Sequence, residues 1–100
     1  MHEKAFLSDS SGTSWTPVIL LDISLRGISF ATPVGLVSGT MGQLHFTVPG
    51  SPTRHHAHIY IVHQSSAGVP SGFRTGAKFE STSAEATEQI ADFLSKTAMA

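Results

Sequence analysis

The sequence predicts a mainly β fold, six short strands closed into an antiparallel barrel with one amphipathic α-helix at the C-terminal end. Three observations carry this prediction. Short runs of alternating apolar and polar residues fill the chain up to Glu80, Gly- and Pro-containing stretches separate them, and the apolar period lengthens to that of a helix after Thr82. Short strands joined by turns and followed by a single helix suit a small barrel whose open end the helix covers. With 100 residues, 40% of them hydrophobic and 13% charged, the chain has material for one modest core. Residues 1–100 read as a single domain, the barrel spanning about 4–80 and the helix about 83–97.

Lys4 to Ser8 reads as a first strand, and Asp9-Ser10-Ser11-Gly12-Thr13-Ser14 as the turn that ends it. Pro17 to Ser24 follows as a second strand. Alternation puts Ile19, Leu21 and Ile23 on one of its faces and Val18, Leu20, Asp22 and Ser24 on the other. Asp22 to Gly27 then interrupts two apolar runs with poor strand formers, which marks a tight connection into a third strand, Gly27 to Ala31, with Ile28 and Phe30 inward. Gly35, Gly39 and Gly42 read as loop glycines leading to a fourth strand, in which Leu44, Phe46 and Val48 alternate with His45 and Thr47.

Pro49-Gly50-Ser51-Pro52 breaks the fourth strand. Arg54 to His63 is the longest strand, with Ala57, Ile59 and Ile61 on one face and His58, Tyr60 and Val62 on the other, and Phe73 to Glu80 is the sixth. Ala86, Ile90, Phe93 and Leu94 recur at i, i+4, i+7 and i+8 and form one apolar stripe on a helix. Thr82 and Glu85 fit the capping-box pattern that starts such a helix.

Composition removes several function classes. Six Lys and Arg residues stand against seven Asp and Glu, for a net charge of −1, and the cations are scattered, which argues against a duplex DNA footprint. The absence of cysteine excludes disulfides, thiolate nucleophiles and cysteine-ligated zinc. No apolar run approaches the roughly 18 residues of a membrane span, and residues 1–8 lack a long apolar leader core, so the chain is expected to be soluble and cytoplasmic without membrane insertion. Ser, His and Asp occur without a nucleophile elbow or informatively spaced carboxylates, so no enzyme is expected.

Two groups of side chains invite functional readings. His55, His56, His58 and His63 suggest a metal site, since imidazole ligates zinc, copper and nickel. Alternation sends His55 and His63 to one face and His56 and His58 to the other, and no nearby carboxylate completes a set, so a polar barrel face is expected and no metal. Trp15 and Phe6, as large aromatics, are expected in the core rather than on a partner-binding surface.

The stretch Asp22-Ile23-Ser24-Leu25-Arg26-Gly27 fits an Asp/Asn-x-Ser-x-x-Gly motif, which Ile28-Ser29-Phe30 continues. His58-Ile59-Tyr60-Ile61-Val62, Gly76-Ala77-Lys78-Phe79 and the segment Ala86 to Leu94 follow in order. On these residues the chain resembles the PilZ domain family, receptors and adaptors for the bacterial second messenger cyclic di-GMP. The resemblance implies a six-stranded antiparallel PilZ-like barrel with a closing helix, in agreement with the periodicity. It also implies a non-catalytic signalling role beside a protein partner of a motility, pilus or polysaccharide system, with cyclic di-GMP as the ligand and no other cofactor. Ligand-binding members carry an Arg-x-x-x-Arg pair just before the first strand, whose guanidinium groups grip phosphate and stack on guanine. No arginine precedes Arg26 here, and the spacing back from Asp22 would put the pair at or before Met1.

The resemblance makes Asp22, Ser24, Arg26 and Gly27 the expected ligand-binding residues. Asp22 would accept from the N–H edge of guanine, Ser24 would add a hydroxyl contact, Arg26 would meet phosphate, and Gly27 would let the base approach the backbone. The competing reading makes the same loop purely structural, Asp22 and Ser24 bonding local backbone and Gly27 supplying a backbone angle other residues avoid. Two functions follow: a module that binds cyclic di-GMP and relays it, with affinity weakened where the arginine pair is missing, or an adaptor that keeps the barrel and acts by protein–protein interaction alone.

Overall fold

The computed structural model describes residues 3–66 and 72–99. Strands β1 (Glu3–Asp9), β2 (Trp15–Ile23), β3 (Gly27–Thr32), β4 (Met41–Thr47), β5 (Arg54–Ser65) and β6 (Phe73–Ser81) are followed by helix α1 (Ala84–Met99). Every neighbouring pair is antiparallel, and the strands close in the order β1-β2-β3-β6-β5-β4. The predicted six-stranded barrel with one C-terminal helix is the fold observed.

Alternation fills the barrel. Leu20, Phe30, Leu44, Phe46, Ile59 and Ile61 point inward and are buried, and Phe46 stacks on Phe79 with ring centroids 5.9 Å apart. The helix follows β6, so it lies at the end where β2 runs into β3 and β4 into β5. Its Ala86 and Ile90 are buried, and Phe93 and Leu94 pack on the barrel core, as the apolar stripe predicts. Gln89 Oε1 fastens the helix to the β4–β5 turn, accepting from Ser51 Oγ at 2.8 Å and lying 2.8 Å from His55 Nε2. At the opposite end Gly12, at φ 70°, closes the β1–β2 turn after Asp9, where its lack of a Cβ makes a left-handed backbone affordable.

Several expectations are corrected, and two of the corrections share one cause. The β2–β3 register passes from Leu20 opposite Phe30 to Asp22 opposite Ser29, leaving Leu21 as an extra residue. That bulge reverses the alternation of β2: Val18 and Leu20 face inward, and so does Ile23, while Asp22 faces solvent. Asp22 and Ser24 therefore do not share the face of Val18 and Leu20. In β5, Val62 is likewise extra between Ile61 opposite Ala77 and His63 opposite Gly76, so His63 turns outward instead of joining His55. His55 alone is buried, beside Phe46 and Gln89. A third bulge leaves Glu80 extra on β6 opposite His58 and Ile59.

Trp15 and Phe6 are not core residues. Both are half-buried on the outer side of the barrel, where Phe6 sits between Pro17 and His45 in the register. Gly42 lies within β4 rather than in the preceding loop, and a Cβ on it would meet the Ser8 carbonyl oxygen at 3.0 Å. The helix cap is displaced by one residue. Ser83 Oγ accepts from Ala86 N at 3.0 Å, so Ser83 is the N-cap, while Thr82 Oγ1 is buried without a hydrogen-bond partner. Glu85 thus falls one position too early for a capping box and interacts instead with Gln89.

This arrangement separates two neighbouring hydroxyls by experiment. Ser83→Ala should cost about 1 kcal/mol of unfolding free energy through the lost cap. Thr82→Val, which removes a buried hydroxyl that bonds to nothing, should be neutral or stabilising, and urea denaturation of both variants compares them directly.

Candidate functional site

The β2–β3 connection is built around Ser24. Its backbone N–H donates to the Gly27 carbonyl at 2.8 Å, and its hydroxyl contacts the same carbonyl at 3.3 Å while accepting from the N–H groups of Arg26 at 3.3 Å and Gly27 at 3.1 Å. The motif serine thus organises the turn with its own side chain. Asp22 Oδ1 accepts from the N–H of Ile23 at 2.9 Å, and the Leu21 bulge leaves the carboxylate facing solvent.

Gly27 has no positive φ, so the expectation that it supplies an unusual backbone angle is not met. What it supplies is space. A Cβ at Gly27 would run into the carbonyl oxygen of Ala77, because β3 approaches β6 closely there. One step further on, Phe79 N donates to Arg26 O at 2.9 Å and extends the pairing into the loop.

Two shallow hollows flank this loop. Asp22, Ser24, Gly27 and Ser29 line one of about 230 Å³, in which Ser29 Oγ is buried and makes no hydrogen bond. Leu25, Arg26, Lys78 and Glu80 line another of about 580 Å³. Of the residues expected at the site, Asp22, Ser24 and Gly27 line the first hollow and Arg26 lines the second, with both Asp22 and Arg26 exposed. Ser29 and Lys78 were not expected. Their register opposite Asp22 and Gly27 brings them in, a cross-strand relation that the spacing of the motif does not encode.

A second group gathers on the outer side of β1, β4 and β5. Trp15 packs on His45 with ring centroids 4.3 Å apart, His45 on His56 at 4.7 Å, and His56 on His58 at 5.2 Å. The Arg54 guanidinium lies 5.6 Å from the centre of the Phe6 ring, and Phe6, Trp15, His45 and Arg54 wall a hollow of about 350 Å³. Gln43 Oε1 lies 2.7 Å from His56 Nε2 and orients that ring. Among the described residues no group of three or more His, Cys, Asp or Glu side chains is arranged to hold a metal ion. Partial burial, reinforced by the charges of His56 and Arg54, holds the His45 imidazole below its ordinary pKa of 6.5.

A family model described as PilZ domain matches residues 2–96. The chain belongs to the PilZ domain family. Among solved structures, this PilZ domain is similar to one described as the structure of Bacillus subtilis inhibitor of motility, MotI/DgrA, with a TM-score of 0.82. The likeness covers 98% of this chain and 48% of that one at 9% sequence identity, so it concerns the fold, and the chain spans about half the length of that protein. No curated protein matches the chain. As a PilZ domain it is a signalling or adaptor module, and PilZ domains are binding modules rather than enzymes. Among the described residues no helix is long and apolar enough to cross a membrane.

Two measurements follow from this geometry. Gly27→Ala should destabilise the fold by about 1–3 kcal/mol in denaturant titration, because β3 must move away from Ala77. His45 makes the second prediction. With its folded pKa below the unfolded one, the unfolded chain takes up the proton first, so stability is lost as pH falls below about 6.5. Thermal melts between about pH 7.5 and pH 5.5 should show a smaller decline for His45→Gln than for the parent.

Proposed function

We propose that this PilZ domain is a cytoplasmic receptor module that binds cyclic di-GMP at the Asp22-x-Ser24-x-x-Gly27 loop and relays its presence to a partner protein. The single observation behind this reading is the outward turn of Asp22 by the Leu21 bulge, which opens a carboxylate toward the hollow that Ser24, Gly27 and Ser29 share. A carboxylate suits the N–H edge of guanine, which presents adjacent donors. Across the loop, Arg26 and Lys78 offer two cations to the ligand's phosphates, and Glu80 in the same hollow tempers them. With no Arg-x-x-x-Arg pair within the sequence, these two cations bear the electrostatic share of binding. The relay is a population shift. Ligand held across the loop favours one arrangement of the covered barrel end over another, and the partner reads the difference.

A second reading is a non-nucleotide-binding adaptor acting by protein–protein interaction in motility, pilus or polysaccharide regulation. The engagement of the Ser24 hydroxyl within its own turn favours it, since a ligand would have to compete with those bonds. The description of the similar MotI/DgrA structure as an inhibitor of motility points the partner toward a motility apparatus.

Titration calorimetry with cyclic di-GMP separates the two readings. Binding with a Kd on the order of 10 μM, weakened about 10- to 100-fold in Asp22→Ala and more modestly in Lys78→Ala, is the expected result. Absence of heat at millimolar ligand removes the first reading and leaves the second.

A further inference from the structure

The ring cluster outside β1, β4 and β5 combines features that the loop site does not use. It holds the only tryptophan of the chain, three imidazoles packed in a row and an arginine. The neighbouring strands set its charge. From β1, Lys4 lies two residues from Phe6 on the same outer face; β2 adds the uncharged Pro17 and Ile19; β4 places His45 between Gln43 and Thr47; β5 adds Arg54, His56 and His58. Among the described residues, carboxylates stand at two edges of the face: Asp9 at the end of β1, one residue past the Ser8 that pairs with Trp15, its Oδ1 accepting from Ser11 N–H, and the bulged Glu80 opposite His58 on β6. Among the described residues Arg54 and the three histidines form no ion pair.

We propose that this face docks an acidic segment of a protein partner, one apolar side chain entering the hollow at Phe6 and Trp15 while flanking carboxylates meet Arg54 and the exposed His56–His58 edge. The proposal deepens the partner-binding part of the proposed function and does not depend on nucleotide binding. Three features of the face select this occupant. The hollow of about 350 Å³ is open and walled by two aromatic rings, which suits one large apolar side chain. Tryptophan and arginine are the residue types most enriched among those that dominate interface energetics. The surrounding charge is positive or able to become so, and its complement is a carboxylate-bearing chain.

Other occupants fit less well. A second copy meeting this face isologously would set Arg54 and the imidazoles against themselves. Single-stranded nucleic acid stacks its bases on free ring faces. Here the rings turn toward one another at interplanar angles of 58°, 51° and 41°, and few cations are present to follow a phosphate backbone.

The test uses the full chain and a short fluorescein-labelled glutamate peptide with one central phenylalanine. Its lysine counterpart and a single-stranded oligothymidylate serve as controls. Fluorescence anisotropy measures binding, and Trp15 emission reports whether the peptide reaches this face. The glutamate peptide should bind, change Trp15 emission, and lose at least about tenfold in affinity in Arg54→Glu. Arg54→Gln, with circular dichroism to verify folding, should show a smaller loss in the same direction, and Asp22→Ala should bind the peptide as the parent does.

No binding of the glutamate peptide up to about 1 mM, equal binding of the lysine peptide, tighter binding of the oligothymidylate or an unchanged Trp15 signal would each overturn the proposal. The assay contains no nucleotide. Its failure therefore leaves the cyclic di-GMP titration unaffected, and a failed titration leaves this assay free to succeed.

Discussion

The closure of the barrel rests on a contact that only a missing side chain allows. Where β3 begins, Gly27 lies against the Ala77 carbonyl of β6, and the ladder between these strands joins the first half of the sheet to the second. Had β3 and β6 been held apart there, the sheet would keep two open edges with unpaired backbone groups and a core exposed between them. The same pairing continues through Phe79 N and Arg26 O into the β2–β3 loop, so the candidate site is anchored to the strand that delivers the helix. Gly27 thus has a structural duty in this chain that the motif spacing gives no means of distinguishing from a ligand-contact duty.

Bulges decide where the functional side chains go. Side chains alternate with a period of two, and one extra residue shifts everything beyond it to the other face. Leu21 does this for Asp22, taking a carboxylate that simple alternation would direct beside Val18 and Leu20 and presenting it to solvent. Val62 does it for His63, whose ring then lies across Gly76. At the β6 edge of the ring cluster, the extra residue is Glu80 itself, whose exposed carboxylate bounds the positive face. The first two bulges spare the interior a carboxylate and an imidazole that would be costly to desolvate there.

The two candidate surfaces differ in construction. At the loop, one serine hydroxyl organises a turn and leaves a neighbouring aspartate facing outward, so structure and recognition share six residues. At the ring cluster no local motif exists. Trp15, Phe6, His45 and His56 meet because β2, β1, β4 and β5 lie side by side, and their packing comes entirely from register. The loop lies at the helix-covered end and the cluster on the barrel wall, which lets a single small domain offer a ligand surface and a partner surface at once.

Alternating apolar residues were enough to name six strands and the closing helix, because burial of one face is a local property of each segment. The family followed from the motif at Asp22 to Gly27 set among those strands, while Arg26 lines a different hollow from Asp22, Ser24 and Gly27. The cap at Ser83 rather than Thr82 lay beyond reach, since adjacent hydroxyls offer the same chemistry and only backbone direction chooses between them. Trp15 and Phe6 read as core because large aromatics usually are, yet the interior was already filled by Phe30, Phe46 and the aliphatic residues around them. What the sequence determined alone was the set of elements and the residues of the loop. Tertiary structure decided which way those residues face, why Gly27 must be glycine and which rings meet on the barrel wall, because bulges and cross-strand register are settled only when distant strands pair.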